Sequence, residues 1–340
     1  MTVLSFGATA TIGSLRYTGG LAGVRLTMPI GPAVGSARVS VPRDLRVDAK
    51  PGDDVELALI GESGEETTAF TGTVSAVRRT LDQTVVLCGD ASAALAAVRP
   101  GSTFEQQSAS AIASALAREA GVSTVAVDLD LDLACYVADQ GRTAWEHLTA
   151  LAAWGGAFVA ASADGGVEVR KFPSPPAETA LRYGREIAEL SVSAVAPAAD
   201  VVSIGNGPAG DASDPRARLQ SVETLPDDAP KPGPRTIRVA AAALRTPSAA
   251  ATASQARASH NGAPRLSATC WLVPGLRAGT SVEIADAPTP DAVGPWLLTR
   301  VVHSVGPGPA GRTTFEAVSM EAAGGSSLLD LLVGAVGSLL

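Results

Sequence analysis

The sequence predicts a mainly β chain in which two similar antiparallel β units flank a small α/β insert. Three observations carry that expectation. From Ala33 to Asp90 short runs of near-alternating apolar residues follow one another, separated by Gly, Pro, Asp or Ser clusters, which is the spacing of a sandwich or barrel. At Ala91 the text changes to Ala-rich helical periodicity, and it returns to strand text after the Pro-rich stretch Pro173 to Pro176. A spaced motif also occurs twice: "KPGDDVEL" (Lys50 to Leu57) and "RAGTSVEI" (Arg277 to Ile284) share basic-x-Gly-x-x-Val-Glu-Leu/Ile. Each is followed by an aromatic residue, Phe70 or Trp296, in a Val-rich strand, so the β unit reads as duplicated.

In order along the chain, the first unit (1–97) contains the strands "SARVSVP", "DDVELALIG", "TTAFTGTVSAVRRT" and "QTVVLCGD". The insert (98–177) opens with "SASAIASALAREAGV", whose Ile112, Leu116 and Ala120 share a helix face that Gly121 ends. "VAVDLDLDLACYV" alternates as a strand, and "TAWEHLTALAAWGG" presents Leu148, Leu151 and Ala152 as a second helix face. "AFVAASADGGVEVRKF" is a hairpin turning at Asp164-Gly165. The second unit (178–323) has strand text in "TALRY", "IAELSVSAVA" and "ADVVSIGNG", then a long polar linker (207–234) and a helix near 247–260. It closes with "RLSATCWLVPG", "GTSVEIAD", "PWLLTRVVHSVG" and "RTTFEAVSM" before an apolar tail (324–340).

Composition excludes several functions. Aromatics are 4% and charged residues 18%, so cores of small aliphatics are expected rather than aromatic-lined pockets. The formal net charge of -8, with no basic stripe, argues against nucleic-acid binding. No apolar run approaches the ~18 residues of a membrane span, and the N-terminus lacks the pattern of a signal peptide. Cys88, Cys135 and Cys270 are distant from one another and offer neither a disulfide framework nor a metal site, which fits folding in the cytoplasm.

Each candidate for chemistry meets a plainer reading. Gly205, Gly207 and Gly210 in "VVSIGNGPAG" spell G-x-G-x-x-G, but a dinucleotide site needs a helix to open there. Pro208 and Asp214-Pro215 interrupt any such helix, and a chain with 35 glycines meets the pattern by chance. The histidines are His147, His260 and His303, and none has a second ligand at metal-binding spacing. Asp128, Asp130 and Asp132 fall on one strand face; calcium would require oxygens converging from a turn, so a solvated face is expected. No nucleophile has an evident base. The expectation is no catalytic residue, no metal and no cofactor.

The order of these segments resembles the phage late control protein D family, the baseplate hub of long-tailed phages and contractile injection systems, which is related to the hub part of VgrG spikes. The likeness rests on "PGDDVELALIG" with "FTGTVSAV", on "STFEQQSASAIASALAREAGV", and on "TAWEHLTALAAWGGAFVAASADGGVEV". "LRYGREIAELSVS" and the closing "GLRAGTSVEIAD", "GPWLLTRVVHSVG" and "RTTFEAVSM" complete it over residues 30 to 320. The resemblance implies that the β units are two similar tube-like antiparallel β-barrels. It further implies a non-enzymatic homotrimer that joins a six-fold tail tube to a three-fold spike, made in the cytoplasm and assembled with other baseplate proteins into a phage or injection-system particle. VgrG chains continue into a spike where this sequence has only Gly324-Gly325 and the tail, so a separate spike protein is expected. The alternatives are a particle-associated cell-wall hydrolase, which needs a carboxylate pair or triad, and a β-rich binding module, which needs secretion signals or aromatic platforms.

The tail supplies the candidate partner-binding residues. If helical, Ser326 to Leu340 is apolar nearly all round through Leu328, Leu329, Leu331, Leu332, Val333, Val336, Leu339 and Leu340, with Asp330 its single charge. Such a segment has to be buried, in its own chain or on a neighbour.

Overall fold

The structure is a computed structural model that describes residues 6–173, 176–194, 201–205, 236–259, 263–307 and 311–320. The first β unit contains β1 (Gly7–Ile12), β2 (Leu15–Tyr17), β3 (Gly23–Pro29), β4 (Ser36–Pro42), β5 (Asp54–Ile60), β6 (Glu66–Arg79) and β7 (Gln83–Gly89). Alternation sets their faces: β4 turns Ala37, Val39 and Val41 inward and leaves Ser36 and Arg38 exposed. β5 buries Val55, Leu57 and Leu59 in the same way, and these close one core with Leu26, Phe70, Val74 and Val86. The strands neighbour one another in the order β2-β1-β5-β6-β7-β4-β3, all antiparallel. Strand text was expected only from Ala33, whereas β1 to β3 precede it. β1 is "GATATI", whose glycine and alanines make a weak apolar pattern that pairing with β5 nevertheless fixes as a strand.

The α/β unit comprises α1 (Ala91–Ala97), β8 (Ser102–Ser108), α2 (Ala109–Glu119), β9 (Thr124–Val127), β10 (Asp132–Ala138), α3 (Ala144–Trp154), β11 (Ala157–Ala161) and β12 (Val167–Lys171). Side-chain oxygens start its helices: Asp90 accepts from the Ser92 amide, Ser108 from Ala111 and Thr143 from Glu146. At α3 the Glu146 side chain also takes the Thr143 amide at 2.7 Å, completing a capping box. The expected single strand through "VDLDLDL" is two: β9 ends at Val127, residues 128–131 form a link, and β10 begins at Asp132. The inward-outward alternation persists across the link because Leu129 and Leu131 are drawn into the core while Asp128, Asp130 and Asp132 remain exposed. β8 was not expected either. "STFEQQS" is mostly exposed, so its strand identity comes from pairing with β10.

The second β unit contains β13 (Thr179–Arg182), β14 (Ile187–Ser193), β17 (Arg265–Trp271), β18 (Ser281–Ala285), β19 (Gly294–Val305) and β20 (Gly311–Ser319). Its order is β14-β17-β20-β19-β18-β13, around a core that includes Leu181, Val282, Ile284, Leu298, Val301 and Phe315. All its pairs are antiparallel except β13 with β18. Between β14 and β17 the chain forms a separate parallel pair, β15 (Val201–Gly205) with β16 (Thr236–Ala240), and α4 (Pro247–Ser259). By place in the sequence α4 goes with the second β unit, but its Ala249, Ala250 and Ala253 are buried in the core of the α/β unit. α1 is drawn into the same core through Ala91 and Leu95. In both helices small side chains permit close packing onto α3, which decides their place over sequence proximity.

Candidate assembly interface

The repeated motif folds twice in the same way. Val55, Glu56 and Leu57 lie on β5 and Val282, Glu283 and Ile284 on β18, and each strand pairs antiparallel with the long strand that follows it. Gly52 and Gly279 both hold positive φ, 93° and 89°, which a side chain disfavours. The Gly52 amide donates to the Val74 carbonyl at 2.9 Å and the Gly279 amide to the Leu298 carbonyl at 2.7 Å. In return Val74 donates to Asp53 at 2.8 Å and Leu298 to Thr280 at 2.9 Å. Just past these residues both long strands carry a bulge against their next neighbour, between Val74 and Ala76 in β6 and between Leu298 and Arg300 in β19.

The cross-strand registers extend the match. Val77 opposes Val86, which opposes Val39; in the second unit Val301 opposes Phe315, which opposes Ala268. The path β3-β4-β7-β6-β5 therefore corresponds to β14-β17-β20-β19-β18. The two aromatics do not correspond. Trp296 opposes Val282, but Gly72 opposes Val55, so Trp296 stands in the place of Gly72 and Phe70 lies two residues earlier. Gly72 is needed in the first unit, because a Cβ there would meet the Gly89 carbonyl oxygen at 2.1 Å.

The two units join through backbone. β19 pairs with β18 over its first residues and, beyond the bulge, with β3 from Arg300 opposite Pro29 to Val305 opposite Val24. This seam makes a single sheet of thirteen strands across both units. The α/β unit docks beside it: Phe158 and Ala160 pack with Leu297 and Met320, and a Cβ on Gly279 would meet the Phe158 ring at 2.5 Å, while one on Gly52 would meet nothing. Asp90, Asp164 and Glu168 also surround the partly buried Arg277 with negative charge, countering the burial that pulls its pKa down. Asp90 is itself buried, which pushes its pKa up against the hydrogen bonds from Ser92 and Ala93.

The residues singled out for chemistry are structural or lie outside the described region. His147 is buried, its Nε2 donating to the Asp139 carbonyl at 3.0 Å and its Nδ1 accepting from the Tyr136 hydroxyl at 2.7 Å. His303 is arranged alike, between the Leu276 carbonyl at 3.0 Å and the Thr313 hydroxyl at 2.8 Å, and burial pushes its pKa down to about 4. Burial raises the Cys88 and Cys270 thiols to about 12, so neither is a ready nucleophile. Asp128 pairs with Lys171 at 3.7 Å in solvent, and among the described residues no group of His, Cys, Asp and Glu is placed to hold a metal. Gly205 ends β15, whereas Gly207, Gly210, His260 and the polar linker lie outside the described residues. So do Leu328, Leu329, Leu331, Leu332, Val336, Leu339 and Leu340 of the tail. The seam is what periodicity failed to find. No helix among the described residues is long and apolar enough to cross a membrane.

Neither protein-family models nor curated protein sequences match the chain. Solved structures do. The 43 kDa tail protein of prophage MuSo2 from Shewanella oneidensis is similar over 93% of this chain and 97% of its own, with 14% identity and a TM-score of 0.66. A tail protein from Neisseria meningitidis MC58 gives 94% and 98% coverage, 13% identity and a TM-score of 0.70. The E. coli c3393 protein, a component of the type VI secretion system described as structurally similar to the T4 bacteriophage tail proteins gp27 and gp5, gives 91% and 76% coverage, 12% identity and 0.61. Two β units built alike, joined in one sheet and carrying an α/β insert, are thus the fold of phage tail proteins, and the resemblance first met in the order of the strands is a resemblance in three dimensions.

Proposed function

We propose that this chain is a structural, non-enzymatic baseplate hub of a phage tail or contractile injection system, acting as a homotrimer. The observation that carries the reading is the repeated β unit, with the same strand order, glycine turn and bulge in each half. Three copies supply six comparable units, enough to meet a six-fold tail tube on one side while keeping a three-fold axis for a spike on the other. Rings of this kind follow from head-to-tail contacts that close. The structural neighbours are tail and secretion-system components, which favours a chain that works by assembling with tube, spike and other baseplate proteins. Cryo-EM of the assembled particle tests the reading: three copies at the tube's end are expected, and any other number overturns it.

The apolar tail is proposed as an anchor to the spike or to the other two tails. Its eight aliphatic side chains, worth roughly 1.5 to 3 kcal/mol each when buried, are what favours a partner surface for it. Deleting residues 326–340 is expected to leave the β units folded and to lower spike retention or trimer stability. Particles of the truncated chain with full spike occupancy overturn the anchor.

A further inference from the structure

The internal repeat has a seam on one side and, among the described residues, nothing on the other. β3 pairs on one edge with β4 and on the other with β19. Among the described residues its counterpart β14 has a ladder with β17 alone, apart from an isolated bridge between Ile187 and Tyr183 at its start. Likewise β19 beyond its bulge is flanked by β20 and β3, but β6 beyond its bulge is flanked by β7 only, because β5 stops pairing at Thr73. Among the described residues the chain therefore carries two open edges that correspond to the two sides of its own seam, though β6 ends at Arg79 where β19 runs on to Val305.

Burial agrees. At the seam Val24, Leu26, Val301 and Val305 are 3, 0, 0 and 8% exposed. Their counterparts Leu190, Val192 and Val77 are half-buried, and Leu81, in the turn after β6, is 83% exposed. Two shallow grooves lie beside β14, one lined by Leu190, Val192, Pro264 and Trp296, the other by Ser193, Leu266 and Thr299, with Ser191 lining both. An open edge with apolar positions is a template for another strand.

We infer that β14 of one copy adds antiparallel to the C-terminal half of β6 in the next, in the register that β3 keeps with β19. Thr27 opposes Val302 and Leu26 opposes His303 at the seam, so Ser193 opposes Arg78 and Val192 opposes Arg79 between copies. Two positions further, where Val24 meets Val305, β6 has already ended at Arg79, and Leu190 faces the β6–β7 turn that carries Leu81. The occupant is a second copy because the same chain holds both halves of the joint and already shows that joint once internally. The contact is head-to-tail, so it passes each copy on to the next, and the thirteen-stranded sheets merge around the ring. This inference rests on the trimer reading and names its interface.

Cysteine pairs in the Cys135→Ser chain test it, since Cys88 and Cys270 are buried. Arg78→Cys with Ser193→Cys, and Arg79→Cys with Val192→Cys, cover both kinds of antiparallel pair, of which the closer suits a disulfide. On mild oxidation at least one pair is expected to give a covalent trimer on a non-reducing gel, while a mixture of the two single variants stops at dimers. Leu81→Glu, at an exposed hairpin tip, is expected to weaken association at least tenfold with the monomer's unfolding midpoint unchanged. A native trimer that forms neither cross-link, or that Leu81→Glu leaves intact, overturns the seam and leaves the trimer standing. A chain that never trimerises overturns both.

Discussion

His303 shows how a residue suited to proton transfer is taken out of chemistry by its surroundings. The Leu276 carbonyl only accepts, so Nε2 carries the proton and Nδ1 is left to accept from Thr313. A charged ring could keep both partners by reversing the Thr313 bond, so it is burial, which strips the ring of water, that disfavours the charge. With the folded pKa near 4 against 6.5 in the unfolded chain, the neutral form's stability is fully present above about pH 6.5 and is lost as pH falls toward 4. Urea titrations from pH 7 to 4 are expected to show a loss of about 3 kcal/mol beyond the carboxylates' contribution, a component missing in His303→Gln. The two turn glycines separate on similar grounds. Gly52→Ala is expected to cost about 1–2 kcal/mol for its backbone alone. Gly279→Ala adds the overlap with Phe158, roughly 1–3 kcal/mol more, and denaturant midpoints of the two variants check the difference.

At the scale of elements, legibility followed the strength of the local signal. α3 was readable because Leu148, Leu151 and Ala152 mark one face, and the structure adds the capping box of Thr143 and Glu146 at its start; Thr143→Ala is expected to cost about 1 kcal/mol, read by thermal unfolding. The alternating apolar run of β4 and the repeated Val-Glu of β5 and β18 were equally plain. β1 and β8 were not, since "GATATI" and "STFEQQS" lack a strong apolar period and owe their conformation to β5 and β10. The placement of α4 was illegible for another reason. Its Ala-rich text fixes a helix but not a partner, and only packing assigns it to the α/β core.

For the whole molecule, the sequence disclosed the duplication through eight residues, while the seam between the halves left no pattern of its own. Hydrogen bonds between strands distant in sequence use backbone, which every residue carries, so side-chain periodicity cannot report them. The hub role proposed for the chain is structural. Purified protein is expected to give no clearing on a peptidoglycan zymogram, and clearing abolished by one point mutation overturns that role. Native mass measurement of the assembled chain is expected to return three copies.

The sharing of β19 between the two units has a mechanical consequence. A hinge between domains needs a linker whose torsions absorb the motion, but here one strand of 12 residues belongs to both units at once. Tilting one unit against the other shears a ladder whose bonds must yield together, in contrast to peeling, where they yield one by one. The angle between neighbouring units is therefore set when the chain folds and stays set under torque. In the proposed ring the joints inside each copy are stiff, and a β14–β6 ladder would stiffen the joints between copies in the same way.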